Sequence, residues 1–306
     1  MENHPFVSVL MTAYNREEYI TESIKSILAS TYTQFELIIV DDHSDDDTFA
    51  IANDFAKTDG RIKVYKNEKN LGDYPNRNIA ASYAKGKYLK YLDSDDIIYP
   101  WGLEAMVYCM EKFPLAAFGL LSKNLNLNTY LPVELSGEEA YKVYFFQCAL
   151  FTVGPSGSII NREAFQNAGG FSGHPYIGDT ELWLKLAKTY RVICLPLNLF
   201  WWREHPHQQV HEGMRNSYYE KQTLKMHRDF LLAGDCPLDK NVAAIALRNQ
   251  INILTRKSIR SFLGGHFLKG TAIIKNNQLK FTDFIMALKR NILIGINKVN
   301  EDISLH

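Results

Sequence analysis

Short apolar runs alternate with amphipathic stretches through the first hundred residues. Phe6-Val7-Ser8-Val9-Leu10-Met11 is the first run and has strand character. Ile20, Ile24, Ile27 and Leu28 then recur at helical spacing as one apolar stripe. Asn15 stands three residues before Glu18, the spacing of a capping box, and predicts the start of that helix. Phe35-Glu36-Leu37-Ile38-Ile39-Val40 is almost continuously apolar, as expected of a strand covered on both faces. A helix over 48–57, a strand over 62–65, a helix over 76–85 and a strand over 88–92 complete the pattern. Strands alternating with helices at this pace predict an α/β fold with a mostly parallel sheet flanked by helices.

Past Pro100, the residues Leu103, Met106, Val107 and Met110 make another helical stripe, and 116–121 reads as a strand. Loops rich in Asn, Pro and Gly follow. Residues 179–190 read as a helix, 192–202 as extended chain, and everything from about 213 as helical.

Composition adds little: 46% hydrophobic and 22% charged residues over 306 positions are ordinary for a soluble globular protein. Charge adds more. Lys240 to His306 holds 11 Lys/Arg and 3 Asp/Glu, so of the 34 of each in the chain the remainder holds 23 and 31. An acidic body with a basic tail suggests separate jobs. Nucleic acid is not an expected partner. Cys109, Cys148, Cys194 and Cys236 form no CxxC pair and suggest neither a zinc site nor a disulfide scaffold. No signal-peptide pattern opens the sequence and no run reaches the roughly 18 apolar residues of a membrane span. The expected location is cytoplasmic.

In parallel sheets of this kind ligands sit outside the carboxyl ends of the strands. Thr12–Asn15, Asp41–Asp47 and Asp93–Asp96 all fall there. Asp93-Ser94-Asp95-Asp96 is the sharpest of them, because three neighbouring carboxylates repel one another unless a cation, special hydrogen bonds or open water relieves them. Capping of the following helix explains one carboxylate, not three. Mg²⁺ or Mn²⁺ takes oxygen ligands and commonly shares them with substrate phosphates.

The other clusters each have a plain structural reading. Asp42 at the tip of its strand is a turn residue or an acceptor for a nucleobase N–H or a ribose hydroxyl. Tyr14 and Thr12 are turn residues or nucleoside contacts, and Asn15 a helix cap. Arg77 makes a surface ion pair or a fixed guanidinium against a diphosphate or base. Asp179, in Gly178-Asp179-Thr180-Glu181, is an N-cap or a general base, with Tyr176 beside it. Arg203 and His205 suit a phosphate clamp or metal ligation, and at least one of Trp201 and Trp202 is expected in the core.

Taken in order, Val7-Ser8-Val9-Leu10-Met11-Thr12-Ala13-Tyr14-Asn15, Val40-Asp41-Asp42, Asn70-Leu71-Gly72, Asp93-Ser94-Asp95-Asp96, Gly169-Gly170-Phe171 and Gly178-Asp179 resemble family 2 inverting glycosyltransferases of GT-A fold. The likeness runs from about residue 6 to about 210. It implies a Rossmann-like catalytic domain over 1–212, with 1–100 as its nucleotide-binding half and 101–212 as its acceptor half; the helical pattern and basic charge beyond it predict a helical basic extension over 213–306. The resemblance further implies that Thr12, Tyr14 and Asp42 hold the nucleoside and that Arg77 lies near the nucleotide. Asp95 and Asp96 would reach ribose and metal, Asp93 would complete the motif, and Asp179 would act as base. His205 falls where relatives often carry a histidine that contacts diphosphate or metal, with Arg203 beside it. The implied cofactor is Mg²⁺ or Mn²⁺, and the implied partners are a nucleoside diphosphate sugar, UDP-linked, and a glycan or lipid-linked glycan acceptor. Two departures stand out: Gly178-Asp179 replaces a common Glu-Asp pair, and Trp201-Trp202 replaces a more usual Tyr-Arg lead-in.

Two further readings follow from the residues. Phe281, Ile285, Leu288 and Ile292 form an apolar stripe near Lys280, Lys289, Arg290 and Lys298, so the tail suits peripheral contact with the cytoplasmic face of an anionic membrane or packing on the catalytic domain. Ile38-Ile39-Val40-Asp41-Asp42-His43 with Asp93 also looks like a phosphoreceiver domain binding Mg²⁺, though receivers place the acid pair on their first strand. A non-catalytic sugar-nucleotide binder is a third reading.

Overall fold

The structure, a computed structural model, describes residues 4–122, 130–205 and 218–288. Among these, eight strands form one sheet. β1 (Val7–Ala13), β2 (Phe35–Asp41), β3 (Ile62–Lys66) and β4 (Tyr88–Tyr91) run parallel in the order β3-β2-β1-β4. The connections run outward from β1 to β3 and then return to its other side, so the switch point lies between β1 and β4. β5 (Ile97–Ile98) leaves the sheet to pair with β10 (Phe200–Trp201). β6 (Ala116–Leu121), β7 (Val133–Leu135), β8 (Ser158–Asn161) and β9 (Arg191–Leu195) extend the sheet as β4-β8-β6-β9-β7. Only β6 and β9 are parallel in this half.

The helices between strands follow the predicted pattern with shifted ends. They are α1 (Ile20–Leu28), α2 (Thr48–Thr58), α3 (Asp73–Ser82), α4 (Gly102–Lys112), α5 (Gly137–Lys142), α6 (Arg162–Asn167) and α7 (Gly178–Thr189). Ile20, Ile24 and Ile27 of α1 have no exposed surface, each burial being worth ~1.5–3 kcal/mol. α3 starts three residues earlier than its apolar pattern predicts. Gly72, at φ 87°, closes the preceding loop, and Pro75 is at home in a first helical turn. Arg77 therefore sits one full turn inside the helix.

Asn15 is not a helix cap. It adopts φ 51°, donates its N–H to Ser44 Oγ (2.9 Å) and accepts from Asp45 N (3.0 Å). Residues 16–19 make a separate turn before α1, so the capping-box spacing ties two loops together instead.

The chain divides into two units. The first holds the sheet and comprises 1–124, 129–136 and 150–204. The second comprises 125–128, 137–149 and 205–306. The second unit thus takes in 137–149 together with the C-terminal helices. Its π-helical turn Val143–Gln147 explains this: Val143 and Phe145 are buried, and Tyr144 Oη lies 2.8 Å from His227 Nε2. The rest of this unit is α8 (Tyr218–Leu231), α9 (Lys240–Leu263), α10 (Phe267–Asn277) and α11 (Phe281–Leu288). Arg248 on α9 pairs with Asp283 on α11 at 2.7 Å, and Lys257 with Glu220 at 2.7 Å.

Candidate active site

The turns after β1, β2 and β4 converge at the switch point. Tyr14 is 42% exposed, so its ring is open to a stacking partner. Thr12, on β1, pairs with Val40. Asp42 follows β2 and is buried. Its carboxylate accepts from Asn67 Nδ2 (2.7 Å), Leu71 N (2.9 Å) and Gly72 N (2.8 Å). Asp42 thereby fixes the 70–72 loop that opens α3. Asp41 closes a local turn, accepting from Ser44 N at 3.0 Å.

Asp93, Asp95 and Asp96 each turn one carboxylate oxygen toward a common point, the three atoms lying within 4.8 Å of one another. Their surroundings differ. Burial pushes Asp93 up, but Arg77 and the Ser156 hydroxyl overcome it and hold its pKa below the ordinary carboxylate value. Asp95 pairs with Arg16 Nε at 2.9 Å. Asp96 is 1% exposed, and burial, with Asp93 next, raises its pKa to about 8. Its Oδ1 accepts from Arg203 N (3.2 Å), while its buried Oδ2 has no hydrogen-bond partner. A buried carboxylate oxygen left open beside two more carboxylates fits a hard divalent cation. Arg203 also donates Nε to the Asp95 carbonyl (2.9 Å) and pairs with Glu22, so it braces the acid loop from outside.

Arg77 is buried, 2.7 Å from both Asp73 and Asp93. It makes a buried double ion pair, not the surface pair that sequence alone allowed. Next to it on α3, Tyr74 accepts the backbone N–H of Asp179 on its hydroxyl (3.3 Å), and its ring stacks on Phe171. Asp179 occupies the first turn of α7, where its Oδ1 accepts from Thr180 N at 2.7 Å. The helix N-terminus favours the carboxylate, yet burial prevails and lifts its pKa to about 6. A carboxylate poised there can take a proton at neutral pH. Gly178 has a local cause as well: a Cβ there would lie 2.8 Å from the Tyr74 ring. Tyr74 fills the space that a larger residue at 178 would need.

Several supporting residues escaped sequence reasoning. Arg16, Asp73, Tyr74 and Ser156, whose Oγ accepts the Asp93 N–H at 2.9 Å, meet the acids only through the fold. Lys90 did leave a signal, a lone charge inside the apolar run Tyr88–Leu92. The expectation of a core tryptophan at 201 or 202 is corrected: they are 47% and 43% exposed, and Trp201 lies 5.1 Å beneath the Arg203 guanidinium. Along the two-residue strand β10 it is Phe200 that packs against the core, so Trp201, the next residue, turns outward. His205 is buried at the head of the second unit.

Residues 8–169 match the glycosyl transferase family 2 description, and the chain belongs to that family. It is 42% identical over 196 residues to the Escherichia coli UDP-Glc:alpha-D-GlcNAc-diphosphoundecaprenol beta-1,3-glucosyltransferase WfgD, covering 62% of this chain and 72% of that one. It is 34% identical over 151 residues to the Bacillus subtilis putative teichuronic acid biosynthesis glycosyltransferase TuaG, covering 50% and 60%. Against two uncharacterized Haemophilus influenzae glycosyltransferases the match spans only 35% and 38% of their length. Among solved structures, S. aureus TarS 1-349 in complex with UDP-GlcNAc superposes with TM-score 0.69 at 18% identity, covering 98% and 89%. The mannosyltransferase PcManGT from Pyrobaculum calidifontis, with GDP-Man and Mn²⁺, gives 0.62 at 15% identity, covering 99% and 86%. These neighbours carry the GT-A fold. Family membership, with β1 preceding the acid-bearing β2, sets the phosphoreceiver reading aside.

Proposed function

We propose that this protein moves a sugar from a nucleoside diphosphate sugar, UDP-linked, to an acceptor hydroxyl with inversion, in the assembly of a cell-surface glycan. The observation that carries this reading is the link between the acid trio and Asp179. Asp93 binds Arg77, Arg77 binds Asp73, and the adjoining Tyr74 holds the Asp179 backbone. A leaving-group site and a base are thereby built into one network.

Thr12 and Tyr14 face the nucleoside, Tyr14 by stacking. Asp42 shapes the base subsite by pinning the 70–72 loop and offers its remaining lone pairs to a base N–H. Asp95 and Asp96, with Asp93 behind them, would hold Mg²⁺ or Mn²⁺ and the ribose. When bound, such a cation neutralises charge on the departing diphosphate. Arg77 keeps Asp93 ionised beside the nucleotide. Arg203, which braces the acid loop, is assigned to the diphosphate side. Asp179 accepts the proton of the acceptor hydroxyl as its oxygen attacks the anomeric carbon opposite the diphosphate. The carbon–phosphate-oxygen bond breaks in the same displacement, and the configuration inverts.

The UDP donor is supported by the donors named for WfgD and TarS, whereas PcManGT holds GDP-Man. WfgD's acceptor, a diphosphoundecaprenol glycan, supports a lipid-linked acceptor and a place at the cytoplasmic face of the membrane. Among the described residues no helix is long and apolar enough to cross a membrane. The turn between α9 and α10 suits surface contact: Leu263, Phe267 and Leu268 are 84%, 65% and 89% exposed, with exposed Arg260 and Lys269 beside them. Of the tail stripe, Phe281 and Ile285 are exposed, and Ile292, Lys289, Arg290 and Lys298 lie outside the described residues.

The deciding experiment offers UDP-Glc, UDP-GlcNAc and GDP-Man with Mn²⁺ and a diphosphoundecaprenol-linked acceptor, and analyses the product. Anomerically inverted product from a UDP donor is expected. Tight donor binding without transfer or hydrolysis would favour the non-catalytic binder. Sedimentation with anionic liposomes tests the membrane contact, which fails if Leu263→Asp/Leu268→Asp leaves binding unchanged.

A further inference from the structure

β4 carries a lysine at its driest point. Lys90 has no exposed surface, and its partner across the ladder is Val9. An ammonium placed there costs several kcal/mol even after relaxation, and a well-packed apolar chain is often as stable or better. Burial accordingly pulls its pKa down to about 7. Stability alone gives no reason for a lysine here.

Its contacts supply one. Lys90 Nζ donates to the Tyr91 carbonyl at 2.5 Å and to the Ser156 carbonyl. Tyr91 is the last residue of β4, directly ahead of the acid loop. Ser156 lies on the short 3₁₀ turn Pro155–Gly157, which leads straight into β8, the strand paired with β4. The Ser156 hydroxyl accepts the Asp93 N–H at 2.9 Å, tying this turn to the acid loop. One ammonium therefore ties the end of β4 to the turn whose Ser156 bonds the Asp93 backbone.

We propose that Lys90 is a positioning residue of the donor site: by holding the Ser156 turn against the end of β4, it sets the Asp93 and Asp96 carboxylates for a cation-bound diphosphate. This rests on the acid trio being the metal–diphosphate site. Lys90 touches no substrate. It acts through Ser156.

The test titrates Mn²⁺, alone and with UDP, into wild type, Lys90→Met, Ser156→Ala and the double variant, with Tm measured for each. Supporting groups behind metal ligands are typically worth 10–100-fold in metal affinity. Each single variant is expected to lose about that much Mn²⁺–UDP affinity and to raise the donor KM in proportion. The acid limb set by Asp179 should stay in place, which general damage to the fold would not spare. The double variant should bind no more weakly than the weaker single variant, the non-additivity of groups acting in one chain. A folded Lys90→Met binding Mn²⁺–UDP within about twofold of wild type overturns the proposal. If Lys90→Met does not fold, Ser156→Ala decides, and unchanged affinity there overturns it equally. A wild type that binds no Mn²⁺ with UDP and keeps its turnover in EDTA overturns the metal reading itself, and the inference with it.

Discussion

Arg77 Nη1 stands 2.7 Å from Asp93 Oδ1, with the guanidinium buried and its Nε committed to Asp73. Removing the cation leaves two carboxylates facing each other. Breaking a buried pair costs ~3–5 kcal/mol. Asp73 and Asp93 keep some solvent contact, so Arg77→Met is expected near the lower end. Thermal unfolding should show a Tm several degrees lower, with Mn²⁺–UDP binding weakened in the folded fraction. A Tm within a degree of wild type refutes this account of the pair.

Asp179 sets a pH dependence. Its folded pKa is raised to about 6, and a base works only when ionised. Hence kcat/KM should fall tenfold per pH unit below about 6 and level off above it. Asp179→Asn should lose ~10²–10⁴-fold in turnover while the donor KM holds, and its residual rate should lack this limb. Near-normal turnover in that variant removes Asp179 as the base.

Gly178 and Tyr74 should behave as a matched pair. Gly178→Glu forces its Cβ against the Tyr74 ring, and overpacking of this kind typically costs ~1–3 kcal/mol. Tyr74 would shift and carry the Asp179 backbone with it, lowering kcat. Adding Tyr74→Ala should restore part of the lost stability. Additive losses in Tm would show that the contact does not matter.

Metal removal separates the acids from the base. Asp95→Ala and Asp96→Ala should each weaken Mn²⁺-dependent UDP binding, read by calorimetry, and EDTA should stop turnover in wild type. Binding isotherms identical to wild type in both variants would dismiss the trio as ligands.

The second unit carries its own acid sensitivity. His227 is buried against Tyr144 and Phe145, and burial depresses its pKa to about 4. The unfolded chain takes up a proton below about 6.5 that the folded chain refuses. His227 therefore withdraws stability as pH falls from about 6.5 to about 4, by ~3 kcal/mol across the window. Tm measured from pH 7 to 4 should fall less steeply for His227→Phe than for wild type. Parallel curves would rule out this source of acid lability.

The parallel half of the sheet was legible because β1 to β4 are apolar runs separated by periodic helices. β7 and β8 were not, being three and four residues long, too short for a periodic signal. The acid trio and Asp179 announced themselves by composition at strand and helix ends. What joins them did not. Arg16, Tyr74 and Ser156 are common residue types at unremarkable positions, and their roles arise from contacts across 79, 105 and 63 positions of chain. Asn15 shows the opposite failure. Its local spacing was right for a cap, but two longer-range bonds to the 44–45 loop won.

The placement of 137–149 bears on how the molecule can be taken apart. This stretch is drawn from the middle of the catalytic sequence, yet its Tyr144 is bonded to His227 and its Tyr141, Val143 and Phe145 are buried. No single cut frees one unit from the other. A fragment ending at 204 would keep three large apolar side chains and lose the helix bearing His227, inviting aggregation. A minimal catalytic fragment would need both an early stop and a short polar bridge in place of 137–149. Swapping C-terminal regions between relatives would likewise have to move two separated stretches of gene together.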